Sequence, residues 1–125
     1  MSRIHFIEQQ NSLFCDFLSH FSKSMKVGEA KDEIARVIRF LDLHVHKYFP
    51  REEAFITENS YEGADFHIAQ HKKFKTDFES IKSQYAANGY SVSIAISLQR
   101  IMQDWVSEHI QKTDKILCDY ILSAS

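Results

Sequence analysis

Cysteine is scarce in this chain, and long apolar runs are absent. The two cysteines, Cys15 and Cys118, lie far apart inside helical patterns and show neither metal nor redox spacing. They read as buried free thiols, because disulfide frameworks belong to oxidising compartments and closer spacings. Nowhere do about 18 apolar residues run together, which excludes a membrane-spanning helix of ordinary length. The opening Met1-Ser2-Arg3-Ile4-His5-Phe6 has no apolar stretch of signal-peptide length either. The expectation is a soluble, cytoplasmic protein without a membrane partner. Positive charge is not in excess: 15 Lys and Arg stand against 17 Asp and Glu, for a net charge of -2. With no basic run to neutralise a phosphate backbone, nucleic acid is not an expected partner. Repeats, low-complexity tracts and signs of a second domain are missing as well. At 125 residues and 44 % hydrophobic, the chain suits one core and one domain spanning 1–125.

What is present is helical periodicity. Leu13, Phe14, Phe17, Leu18, Phe21 and Met25 repeat at i, i+3, i+4 and i+7, and Gly28 would stop that helix. A second stripe runs from Ile34 through Leu41, Val45, Tyr48 and Phe49 to Ile56, ending near Asn59. Pro50 lies inside it, removes one hydrogen bond and bends the rod. After a polar connection to about Asp65, the third stripe takes His67, His71, Phe74, Phe78, Ile81 and Tyr85 and closes at Asn88-Gly89. The fourth runs from Ile94 to Ile121. Short connections force antiparallel neighbours, so the expected fold is all-α, an up-down-up-down antiparallel four-helix bundle.

Polar residues interrupt those stripes at particular places. His67 and His71, four apart, are separated by about 400° of helical rotation and point the same way, into the core. His109 falls in the apolar run of its helix beside Trp105 and Ile110, and Glu52 breaks the inward face of the second. A buried carboxylate without a partner costs several kcal/mol, and a metal ion between these groups answers that cost. Imidazole with carboxylate favours iron, manganese or zinc, and more than four ligands argue against structural zinc. Asp114 fits less easily, because five residues turn a regular helix by about 500°. If it shares a metal with His109, the fourth helix must widen between them.

The stretches Phe49-Pro-Arg-Glu52-Glu53, His67-x3-His71-Lys-Lys-Phe74 and Trp105-Val-Ser-Glu-His109-Ile-x3-Asp114, with Ile7-Glu8-Gln9-Gln10-Asn11-Ser12-Leu13-Phe14 ahead of them, resemble the hemerythrins, especially the bacterial ones. That family is itself a known example of the up-down-up-down bundle, so the resemblance implies the same topology as the periodicity. It further implies two irons with an oxo or hydroxo bridge, bridged also by Glu52 and Asp114, and dioxygen bound at the iron with an open position. His67, His71 and His109 would complete the filled iron. The other iron's two histidine positions read Asn11 and Tyr48 here. The resemblance also implies a dioxygen pocket walled by Phe49, Trp105, Val106 and Ile110.

Three arrangements stay open at this level. One iron takes Glu52, His67, His71, His109 and Asp114, with Tyr48 or water as a further ligand. Two metals remain, the second on the carboxylates, Tyr48 and Glu8. Or the bundle persists without metal. Tyr48 either ligates or hydrogen-bonds Glu52 one turn away, while His44 and His46 are poorly placed as substitutes. The expected function is a non-haem iron protein that binds or senses dioxygen or a related small diatomic molecule, not an enzyme. The competing readings are a peroxide-reducing or oxygen-activating iron enzyme and a structural bundle with a degenerate site. No particular protein partner is implied.

Overall fold

The computed structural model describes residues 3–124; residues 1, 2 and 125 of the expected single domain lie outside the described residues. Four antiparallel rods follow one another. The first is α1 (Arg3–Lys26). The second joins α2 (Ala30–Leu43) to α3 (Phe49–Glu58) through a widened π-type segment, His44–Tyr48. The third is α4 (Ala64–Asn88), and the fourth joins α5 (Val92–Asp104) to α6 (Asp114–Ala124) through a longer widened segment, Trp105–Thr113. No strand occurs among the described residues. This is the all-α four-helix bundle expected from the periodicity.

The helices stop at the residues that the sequence marks as breaks. At Gly89, φ is +76°, a left-handed conformation open to glycine at little cost, and its amide closes the helix on the Tyr85 carbonyl at 2.8 Å. Two residues later Ser91 starts α5, its hydroxyl accepting from the Ile94 amide at 3.0 Å. One detail of the first stripe fails. Leu13 is exposed, because the inward line of α1 runs through Ile7, Phe14 and Phe21, and its neighbour on that line points about 100° away.

Both widened segments have a local cause. In the second rod Pro50 has no amide to donate, and its ring would crowd the carbonyl four residues back. The chain widens just before it, so that the Phe49 amide bonds His44, five residues back. In the fourth rod the Asp114 amide likewise donates to the His109 carbonyl, and the Thr113 hydroxyl takes the Glu108 carbonyl at 3.2 Å. Five residues then complete about one turn, which brings Asp114 back to the face of His109.

Apolar packing is divided along the bundle axis. A large cluster includes Phe14, Phe49, Phe74 and Trp105; a small one is formed by Ile7, Ile56, Tyr61 and Leu117. On every rod a polar residue lies between the two: Asn11 on the first, Glu52 on the second, His67 and His71 on the third, His109 and Asp114 on the fourth. The bundle therefore carries one buried polar layer across its core.

Candidate metal centre

Glu52, His67, His71 and His109 each bring a ligand atom within 4.8 Å of the others, and all four are buried. Asp114 joins them: its Oδ1 lies 3.1 Å from His109 Nε2 and 3.4 Å from His67 Nε2. The five residues singled out from the sequence are thus brought together, and the helix widening that Asp114 required is present.

The orientation of the rings matters more than their proximity. His71 Nδ1 donates to Glu53 Oε2 at 2.8 Å, and His109 Nδ1 donates to Gln70 Oε1 at 2.7 Å. A carboxylate or amide oxygen can only accept, so each Nδ1 carries the proton and each Nε2 turns a lone pair inward. His67 Nε2 contacts Glu52 Oε1 at 2.6 Å, while its Nδ1 has no hydrogen-bond partner. Phe49 stacks on His71 with centroids 4.0 Å apart and Trp105 stacks on His109 at 3.8 Å, fixing both planes.

Two inward atoms, His71 Nε2 and Asp114 Oδ1, make no hydrogen bond although fully buried. His71 Nε2 is 3.1 Å from Glu52 Oε1 but is not aligned to bond it. Buried polar atoms without partners are costly. Lone pairs that converge on a common centre, and not on one another, fit a cation. Burial, then the neighbouring Glu52 charge, pushes Asp114 up to about 7. Burial would also raise Glu52, but the adjacent His67 and His71 imidazoles outweigh it and hold that carboxyl below the usual range. His109 is held well below an ordinary histidine by burial and by the two other imidazoles. Three imidazoles and two carboxylates in a dry layer suit a borderline divalent or trivalent metal.

The outer oxygens of the same carboxylates are already satisfied. The Tyr48 hydroxyl donates a short hydrogen bond to Glu52 Oε2, and the Asn11 amide donates to Asp114 Oδ2 at 3.0 Å. Of the two roles open to Tyr48, the hydrogen bond to Glu52 is present in this structure. Burial, then the charges of Glu52 and Asp114, drives its phenol far above the ordinary tyrosine value. Glu8 is exposed and outside the cluster. His46 is exposed and reaches Glu79 at 2.8 Å, and His44 is buried among aromatic rings. Of the expected pocket wall, Phe49 and Trp105 lie against the histidines, whereas Val106 and Ile110 are half-buried and pack on the large cluster. Burial raises the thiols of Cys15 and Cys118, both free.

Sequence reasoning passes over Gln70 as an orienting group and Asn11 as a hydrogen-bond donor. Gln70 immediately precedes His71 and faces His109, but a glutamine on a helix looks like any solvated residue until the facing helix is known.

These features define a helical-bundle domain with a buried cation site. The hemerythrin HHE cation-binding domain matches residues 2–121, and the chain belongs to that family of metal-binding bundles. No curated protein and no solved structure matches the chain.

Proposed function

We propose that this protein holds one iron ion among Glu52, His67, His71, His109 and Asp114, and that it binds or senses dioxygen or a related small diatomic molecule without catalytic turnover. The observation that carries the reading is the division of the carboxylate oxygens. One oxygen of each faces the three imidazoles, and the other is held by Tyr48 or Asn11. A second ion would have to displace both hydrogen bonds and would find no imidazole in their place.

Iron supplies a Lewis-acidic, redox-active centre when bound. The protein's residues supply everything around it. Glu53 and Gln70 keep the imidazoles of His71 and His109 in the tautomer that presents Nε2. Phe49 and Trp105 cover two of the rings and exclude water, which slows proton delivery to the centre. Tyr48 and Asn11 pin the carboxylates from behind.

The test is iron content per chain after anaerobic ferrous reconstitution, with visible spectra before and after air. One iron per chain supports the reading, and two irons with an oxygen-dependent oxo-bridge band contradict it. Sustained consumption of added peroxide would replace the binding role with an enzymatic one.

A further inference from the structure

His44 is a second buried histidine, and the metal centre does not use it. It is 3 % exposed, and neither ring nitrogen has a hydrogen-bond partner. Phe14, Phe40, Tyr48 and Phe49 surround it with ring centroids between 4.8 and 5.5 Å away. Burial holds its pKa down to about 3, so the ring is neutral and offers one donor and one acceptor. A phenylalanine would fill that aromatic box without leaving two polar atoms unpaired. An imidazole there calls for a polar partner that the protein does not provide.

His44 lines a cavity of about 380 Å³ between α1 and the second rod. Phe6, Phe40 and Leu43 form its apolar lining, Gln10 adds an amide, and Lys47 and Arg51 are the charged groups. No acidic residue lines it. Lys47 and Arg51 are exposed, and no carboxylate among the described residues lies within ion-pair distance of either. Arg51 stacks over the Phe6 ring at 4.8 Å, which holds its guanidinium beside the apolar wall. Unpaired cations next to aromatic and aliphatic surface, with an unpartnered imidazole among them, match a ligand that is anionic at one end and apolar in its body.

We propose that this cavity binds a small organic carboxylate, its body against Phe6, Phe40 and Leu43, its carboxylate at Lys47 and Arg51, and a polar substituent at His44. The site does not depend on how many metal ions the protein holds. Tyr48 belongs to both places, its ring lining the cavity and its hydroxyl on Glu52.

The experiment is isothermal titration of the purified protein with 4-hydroxybenzoate, benzoate and inorganic phosphate. The expected result is that both benzoates bind, the hydroxylated one more tightly, and that phosphate does not. Lys47→Gln with Arg51→Gln, two exposed changes that leave the core intact, should weaken both by roughly tenfold or more, the loss of charge-assisted hydrogen bonds. His44→Phe should abolish the preference for the hydroxyl. Absence of binding at millimolar ligand overturns the proposal. So does phosphate binding as tightly as the benzoates, or an affinity that the double variant leaves unchanged, which would put the carboxylate at the metal.

Discussion

The two sides of the Glu52–Asp114 pair are built from the same carboxylates and do opposite things. Toward α4 and the fourth rod, three imidazoles turn their Nε2 atoms inward, and two of the inward polar atoms, His71 Nε2 and Asp114 Oδ1, are left without protein partners. Toward α1 and the second rod, a phenol and an amide complete the hydrogen bonding of the carboxylates, and behind the phenol lies an aromatic box around His44. One side is unfinished unless a cation completes it; the other is finished by the protein itself. Ligand-type residues alone therefore do not count metals. What decides is whether each carboxylate oxygen already has a donor.

Removing the shared element should have the largest effect. Glu52→Ala strips the acceptor from Tyr48 and His67 and removes the carboxylate beside His71, and we expect loss of bound metal and about 3–5 kcal/mol of stability, the usual cost of breaking a buried pair. Metal analysis and urea unfolding measure the two losses. Converting the finished side into the unfinished one is the next test. Asn11→His with Tyr48→His frees Oδ2 and Oε2 and adds two imidazoles, so iron per chain should rise from one to two. No gain in iron would mean that the far side lacks room for an ion.

A smaller effect is expected behind the histidines. Gln70→Leu leaves His109 Nδ1 without its acceptor and should weaken metal binding by roughly 10–100-fold in a chelator competition. An unchanged affinity would show that Trp105 stacking alone orients the ring. At neutral pH the smallest effect is that of His44, which shows itself only in acid. The folded pKa of His44, about 3, lies below its unfolded value of about 6.5, so between those pH values the unfolded chain binds the extra proton. Stability should fall as pH drops through that window, by up to about 1.4 kcal/mol per pH unit from this group. His44→Phe should remove that share of the slope in unfolding curves at successive pH values.

The bundle is legible in the sequence because its stripes are long and its breaks carry Gly28, Asn88 and Gly89. Asp114 is legible through a misfit: the excess rotation from His109 requires a widened helix, and Trp105–Thr113 has one. The matching segment at His44–Tyr48 is not, since Pro50 announces a disturbed helix without saying whether it bends or widens. Asn11 and Tyr48 stand out as absent histidines, yet their work as donors depends on which carboxylate oxygen faces which rod. Leu13 is misplaced by periodicity because an apolar residue beside a stripe looks like part of it. His44 lies beyond the same reasoning, which puts a residue inward but does not reveal whether its polar atoms find partners.

The most direct test is anomalous diffraction at the iron edge from crystals of the iron-loaded protein. A single peak among the Nε2 atoms of His67, His71 and His109, with the Tyr48–Glu52 and Asn11–Asp114 hydrogen bonds intact, is the predicted result. Two peaks flanking the carboxylate pair, with Tyr48 or Asn11 displaced from its oxygen, would contradict it.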